Sequence, residues 1–470
     1  MKAPPHAQLS VSGFYTIFAP PHKRKTTEMS TPIPQLLIAA PSSGSGKTTI
    51  SRGLMALLRE KGYKTQPYKC GPDYIDTMFH HQICGQPSVN LDTFLSGDDH
   101  VRQLYARHAQ GKDACIAEGM MGLFDGYWRD LGSSAHVARL LHLPVVLVVN
   151  ARSAAYSTAA LLTGLARFDE RLDIAGVIFN QTGRGRHEQM LRDACRVAGL
   201  ECLGCLPRLD ALKQESRYLG LDFSQIHATE GPQLLASLVE QHIDWQRLLD
   251  KTRRPRPQAP ARQQPKPMER RLNITVFRDE EAFSFLYAER LEELELKGHV
   301  TYIDPRQDRE LPADTDYLYL PGGYPEKHIE TLTRAQHTLR SVRQYVEDGG
   351  QTLAECGGMI YLSQGLLTAL PADSSPRIYP LAGVLPFTIS DQPQHRRLSI
   401  GYRIAYPRNG SEVRGHEFHY TQLVPGSLRS NDALKFIEMR DVNGHPVPSP
   451  IYQYRNTTAS YLHYLQTPPL

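Results

Sequence analysis

The run "LLIAAPSSGSGKTTISRGLMALLREKG", Leu36 to Gly62, restricts the architecture more than any other part of this 470-residue chain. An apolar strand enters a loop of serine and glycine, Lys47 and Thr48 follow Gly46, and an amphipathic helix begins at once. Small residues let successive backbone N–H groups point into one anion-sized hollow at a helix N-terminus. Ser43, Gly44, Ser45, Gly46, Lys47, Thr48 and Thr49 are therefore candidate nucleotide-phosphate ligands. Lys47 adds a full positive charge, and the Thr48 hydroxyl offers a seat for Mg²⁺. Pro41 stands where the usual phosphate loop opens on glycine. Strand, loop and helix in this order belong to open parallel α/β sheets, whose ligands sit beyond the C-terminal ends of the strands.

The flanking sequence has the same character. "QLLIAA", "ACIAEG", "LPVVLVVN" and "IAGVIFN" are continuous apolar runs bounded by turns, as expected of parallel strands covered on both faces. Lys251 to Arg271, "KTRRPRPQAPARQQPKPMERR", is rich in proline and charge and nearly free of apolar residues, and it reads as a linker. A second α/β pattern starts at "LNITVF": "AFSFLYAERLEELELKG" reads as a helix, "VTYID" and "DYLYLPGG" as strands, and "HTLRSVRQYVEDGG" as a helix ending on glycine. The expected organisation is a flexible tail over 1–33, a phosphate-loop domain over 34–250, a linker over 251–271 and a second α/β domain over 272–470.

A formal net charge of +4 is too small for this length to imply nucleic acid as a partner. Seven cysteines, an odd number thinly spread, do not form a disulfide framework and suit a reducing compartment. No apolar run reaches the roughly 18 residues of a membrane span, and the opening segment lacks the core and cleavage site of a signal peptide. The expectation is a cytoplasmic protein with no membrane partner, with Met29 a second candidate start.

Acids recur at the ends of the predicted strands. "YKCGPDYIDT" carries Asp73 and Asp76, and "CIAEGMMGLFDG" carries Glu118 and Asp125. Carboxylates delivered by separate strands converge beside the phosphate loop and suit Mg²⁺. Asn180 ends "GVIFN" and is a candidate for reading the nucleotide base. His80 and His81 follow a helical stretch and are expected to be partly exposed, and the Cys202–Cys205 pair has no second pair to complete a zinc site.

A second site centres on "LAECGGMIYL". A strand–cysteine–helix turn presents a thiol at the top of a sheet and aims the next N–H at the same point, which makes Cys356 a candidate nucleophile. Gly357, after the thiol, and Gly322 and Gly323, in "LYLPGGYPE", can offer backbone N–H groups to an oxyanion. A thiolate needs a base, and His416, His419 and His463 are the candidates.

Together "SSGSGKTT", "KCGPDYIDTMFH", "NLDTF", "AEGMMGLFDG", "RDEEAFSFLY", "LPGGYPE", "AECGGMIYL", "GHEFHY" and "ASYLH" make the chain resemble the glutamine-dependent a,c-diamide synthases of corrin biosynthesis, over about residues 34 to 466. The resemblance implies an α/β fold of two parts. These are an N-terminal P-loop domain like dethiobiotin synthetase, binding ATP and Mg²⁺, and a C-terminal class I glutamine amidotransferase domain of the Cys–His type. By position in that family, Cys356 is the nucleophile and His463 its base, and of the backbone candidates Gly323 and Gly357 are the expected oxyanion donors. Leu465 fills the place of the usual third acid, so a dyad is expected. Asp73 and Glu118 are expected to hold Mg²⁺ with Thr48, while Asp76 and Asp125, expected in loops, face the corrinoid. Cys70 and Asn150 depart from the family pattern, as Pro41 does. The implied partners are ATP, glutamine and a corrinoid tetrapyrrole, with room for a homodimer. A nickel-sirohydrochlorin diamide synthase and a nucleotide-gated regulator without catalysis are the rival readings, and a thiol nucleophile argues against the second.

Overall fold

The computed structural model describes residues 31–208, 231–258, 270–279, 281–371, 375–407 and 410–468. Pro32–Leu470 forms one compact unit. Its first half is built on β1 (Ile33–Ala39), β2 (Thr65–Cys70), β3 (Val89–Leu91), β4 (Ala114–Glu118), β5 (Val145–Asn150), β6 (Ile174–Thr182) and β7 (Cys202–Pro207). They lie in the order β3-β2-β4-β1-β5-β6-β7, and every neighbouring pair is parallel. Parallel neighbours need crossovers, which α1 (Lys47–Glu60) supplies after β1 and α2 (Ile75–Cys84) after β2. The apolar runs follow from this burial on two faces. Leu37 and Ala39 of β1 enter one core with Tyr68 and Val145, and Leu36 and Ile38 enter the other with Ile50 and Leu54.

The stretch expected as a linker from Lys251 is ordered at its start. Lys251 closes the helix Trp245–Lys251, and β8 (Arg253–Arg254) pairs antiparallel with Ile33 and Pro34. Pairing of β1 with β4 begins at Gln35 and with β5 at Leu37, so its first residues retain open backbone groups that β8 fills. Gln35 Nε2 donates to the carbonyls of Arg254 and Pro255 (3.1 and 2.8 Å). An unfinished sheet edge overrides a linker-like composition here. Residues 259–269 lie outside the described residues, as do residues 1–30 of the expected tail, Met29 among them.

The second half centres on a ten-stranded sheet. Its parallel part runs Gly298–Ile303, Leu272–Phe277, Tyr317–Leu320, Gln351–Glu355 and Thr457–Ser460. An antiparallel extension follows, through Pro446–Tyr454 to Val413–His419 and Leu462–His463. The predicted helix from Ala282 starts only at Ala288. The aromatic half of that segment is spent on packing instead: Phe283, Phe285 and Tyr287 are buried, and Phe285 N–H bonds the Gly322 carbonyl (3.0 Å).

The two halves meet along an aromatic seam of Tyr74, Phe285, Tyr287, Tyr324, Phe418 and Leu465. Hydrogen bonds cross it from Tyr287 to the Pro72 carbonyl (3.2 Å), from Arg414 to the Phe94 carbonyl (2.9 Å) and from Tyr402 to Asp92 Oδ2 (2.7 Å). Asp92 is buried, which raises its carboxyl to about 6 despite the Leu95 and Phe94 N–H groups and Tyr402. Tyr402→Phe removes a hydrogen bond to this acid and should lower unfolding stability by about 1.5–3 kcal/mol. Urea melts that match the parent would show that the bond does not brace the seam.

Candidate active sites

Gly44 and Gly46 take left-handed backbone angles (φ 76° and 100°), which the phosphate loop needs to turn between β1 and α1. No side chain caps the start of α1. Lys47, buried at its root, donates to the Met121 carbonyl (2.5 Å), and Thr48 Oγ1 donates to Glu118 Oε1 (2.7 Å). Ser43 and Gly44 are exposed, Ser45 is buried, and Thr49 is half-buried in α1. Asn180 is placed to brace this loop: its amide donates to the Ser45 carbonyl (3.1 Å), and a Cβ on Gly46 would fall 2.1 Å from its nitrogen. Asn150 and Asn180 are register partners on β5 and β6.

Parallel register sets Lys69 of β2 beside Glu118 of β4. Lys69 Nζ lies 2.6 Å from Asp76, 2.8 Å from Glu118 and 3.9 Å from Asp73. His80 Nε2 lies 2.9 Å from the other Glu118 oxygen, and its Nδ1 pairs with Ser88 (3.2 Å). Burial opposes charge at both centres, but the ion pairs prevail. Asp76, Glu118 and Asp73 keep the Lys69 ammonium above its ordinary range, and Lys69 and His80 hold Glu118 well below the carboxylate range.

Two expectations change here. His80 is fully buried rather than partly exposed, because Glu118 needs a polar partner inside the sheet; His81 is exposed. Asp76 lies in the first turn of α2 rather than in a loop and is buried against Lys69, the lysine that also holds Glu118. Asp73 Oδ1 accepts from the N–H groups of Ile75 and Asp76 (2.9 Å each) and so caps α2. Asp125 is exposed and accepts from Gly122 N–H (2.9 Å) in the loop that also supplies Met121.

At the second site Cys356 follows the strand Gln351–Glu355 in a rare conformation, φ 45° and ψ −100°, and opens the short helix Gly357–Leu362. Its N–H bonds the Ser460 carbonyl (2.7 Å), tying the turn to the strand that leads to His463. A Cβ on Gly357 would stand 3.1 Å from Gly323 N, so the two candidate oxyanion donors adjoin. Gly322 admits the base by having no side chain, since a Cβ there would fall 2.1 Å from His463 Cε1. His463 is fully buried and pairs in register with His416. His419 is engaged elsewhere, with the Thr421 carbonyl (2.7 Å) and Glu417 (2.8 Å). Burial, then Glu326, pushes the Cys356 thiol up against the opposing Gly357 N–H, and burial, then His416 and His419, pushes His463 well down.

Sequence reasoning missed three residues. Lys69 is a charged residue in a strand buried on both faces, a placement that demands paired acids. Tyr74 comes from the first half and reaches the second site: its ring lies tilted against His463 (4.5 Å between centroids, 39° between planes) and its hydroxyl pairs with His416 Nδ1 (3.2 Å). Glu355, the residue before the thiol, is buried 3.8 Å from His463 Nδ1. Its adjacency to Cys356 was the available signal. The Cys202 and Cys205 sulfurs lie 3.8 Å apart, and among the described residues no group of three or more His, Cys, Asp or Glu side chains is arranged to hold a metal ion by itself. No helix among them is long and apolar enough to cross a membrane.

Residues 36–220 match the CobQ/CobB/MinD/ParA nucleotide binding domain, and residues 273–468 match the CobB/CobQ-like glutamine amidotransferase domain. The chain is 40% identical over 404 residues to a cobyrinate a,c-diamide synthase of Gloeobacter violaceus, covering 83% of this chain and 86% of that one. A second cobyrinate a,c-diamide synthase, of Caldanaerobacter subterraneus, is 37% identical over 82% of this chain and 86% of its own. A hydrogenobyrinate a,c-diamide synthase of Brucella anthropi is 36% identical over 91% of this chain and 97% of its own.

Two measurements follow from the electrostatics. A raised thiol holds little thiolate near neutrality, so alkylation of Cys356 in the resting protein should be slower at pH 7.5 than for a free cysteine, and should climb with pH beyond the usual thiol value of about 8.5. Fast labelling at pH 7 would contradict this. Lys69→Met removes the lysine counter-charge from buried Asp76 and Glu118 and should cost about 3–5 kcal/mol in urea melts; a loss below about 1 kcal/mol would mean the cluster is not held by its lysine.

Proposed function

The chain belongs to the cobyrinate and hydrogenobyrinate a,c-diamide synthase family, and we propose that it amidates the a and c side-chain carboxylates of one of these corrinoids, driven by ATP, with glutamine as the nitrogen source. At the second site the Cys356 sulfur attacks the glutamine amide carbon while His463 takes the thiol proton. Gly323 and Gly357 N–H groups meet the oxyanion, ammonia leaves with a proton from His463, and water then releases glutamate from the thioester. At the first site a corrinoid carboxylate oxygen attacks the γ-phosphorus of ATP and ADP leaves. Ammonia attacks the resulting acyl phosphate at carbon and expels phosphate, which leaves the amide.

In this reading the loop from Ser43 to Thr49 holds the nucleotide phosphates and Lys47 neutralises their charge. Asn180 keeps the loop in shape. Mg²⁺ carried by a nucleotide takes only one or two protein carboxylates, the rest of its shell being phosphate and water. Thr48 Oγ1 and Glu118 Oε1, 2.7 Å apart, fit that need, and Asp73 lies 3.9 Å from the Lys69 ammonium that Glu118 also touches. Bound there, the ion would neutralise charge on the transferring phosphoryl group. Asp76 works with Lys69 and Glu118 as one unit, and Asp125 keeps the corrinoid-facing role. All seven cysteines are unpaired, which suits a cytoplasmic enzyme.

The observation that carries this reading is Tyr74. It stands between Asp73 and Asp76 of the acid cluster, and its ring lies on His463 of the thiol site. That contact couples the site that would make ammonia to the site that would use it.

The test separates the two chemistries. Cys356→Ala should abolish glutamine-dependent amidation and spare amidation from free ammonia. Lys47→Ala should cripple both, since activation of the carboxylate precedes amine attack in each. Product mass, followed with cobyrinate and with hydrogenobyrinate, reads the result. Loss of the ammonia reaction in a folded Cys356→Ala variant, or its survival in Lys47→Ala, would overturn the division of labour.

A further inference from the structure

We propose that Glu355 is the acid that orients His463 and stabilises its protonated form, the part that Leu465 cannot play. The inference rests on the Cys356–His463 reading above. Leu465 packs into the aromatic seam, so no acid reaches the base from its own segment at that position. Glu355 reaches it from the end of the strand Gln351–Glu355, whose parallel neighbour Thr457–Ser460 leads into His463. Its Oε2 lies 3.8 Å from His463 Nδ1, with both side chains at most 1% exposed. The distance is just beyond a hydrogen bond, and a small rotation of either group closes it.

The surroundings support a working pair. His463 has no hydrogen-bond partner at either ring nitrogen among the described residues, and Glu355 Oε1 has none. Buried polar atoms are nearly always bonded, so three orphans on two facing residues call for an explanation. Tyr319 donates its hydroxyl to Glu355 Oε2 (3.0 Å), and Arg290 lies 3.7 Å from Oε1. Arg290 also donates to the carbonyls of Tyr464 (3.1 Å) and Gln466. One guanidinium therefore holds both the acid and the segment that carries the base. Burial raises the Glu355 carboxyl to about 7 against the pull of Arg290 and Tyr319, and it keeps His463 neutral at rest.

The chemistry follows from which nitrogen faces which group. With Nδ1 toward Glu355, Nε2 is left for the thiol proton. As the Cys356 sulfur bonds the glutamine carbon, the proton moves to Nε2, and the positive charge formed on the imidazole is met by the carboxylate at Nδ1. The proton then leaves on ammonia, and the pair returns to its starting state. Glu355 exchanges no atom with substrate, so it is a positioning residue. The competing account is that Glu355 only balances the buried Arg290.

A mutant cycle separates the two accounts. Glu355→Gln should lower kcat for glutamine hydrolysis by about 10²–10⁴-fold, with little change in KM for glutamine and with ammonia-dependent amidation retained. In a His463→Ala background the same substitution should cause no further loss. Where turnover is too slow, the rate of iodoacetamide labelling of Cys356 gives the same comparison. A change within about threefold for the single variant, or a full effect that persists without His463, overturns the proposal. Retention of glutaminase in His463→Ala alone would instead remove the Cys–His reading beneath it. Should Glu355→Gln also lose the ammonia reaction, Glu355→Asp, which keeps the charge beside Arg290, decides. A tenfold or larger loss of glutaminase alone supports the role, and parental glutaminase refutes it.

Discussion

The arrangement of this molecule hangs on the contact of the Tyr74 ring with His463, tilted at 39° with the centroids 4.5 Å apart. The tyrosine leaves the C-terminal end of β2, and the histidine lies just beyond the parallel strands of the other sheet. Ligands of parallel α/β sheets gather at those ends. An aromatic seam between the two sets of strand ends therefore places both sites at one boundary. Phe285 stacks on the Tyr74 ring at 4.8 Å, and Leu465, Phe418 and Tyr324 exclude water around them. Aromatic side chains suit this task because they bury much apolar area while keeping a polar end, here the Tyr74 hydroxyl on His416.

Each site solves a different electrostatic problem. Near the phosphate loop the difficulty is concentrated negative charge inside a sheet. The register of β2 on β4 places Lys69 among the acids, and His80 takes the remaining Glu118 oxygen. Removing any one partner would leave a buried charge uncompensated, which costs more than the intact network contributes. At the thiol site the difficulty is reversed. Burial favours the neutral forms of Cys356 and His463, so charge must be created during the reaction. In the proposed mechanism, N–H groups at Gly323 and Gly357 and the Glu355 carboxylate near the imidazole lower the cost of that separation.

The phosphate loop, the apolar strands and the glycine-hemmed cysteine were legible because each is a local pattern. Their conformations follow from the residues that compose them: glycine at φ 100° in the loop, β-branched residues in strands, a thiol before two glycines. The segment "AFSFLY" misled, because its periodicity is compatible with a helix while its aromatic side chains are claimed by the seam. The start of the linker misled for a similar reason: proline and arginine content describes an unpaired chain, but β1 had backbone groups to satisfy.

The sequence by itself determined two α/β halves, one with the pattern of a phosphate loop and one with a thiol on a glycine turn, because strand, turn and helix signals act over a few residues. Only the tertiary structure decided which side chains share a site. Lys69 and Glu118 are 49 positions apart, and Glu355 and His463 meet although their strands are not paired with each other. Strand order and register set those meetings, and neither is written in any single segment. The same holds for Tyr74, whose role depends on how two independent sheets abut. That contact is governed by the shape of the buried apolar surface that both present, a property no local pattern encodes.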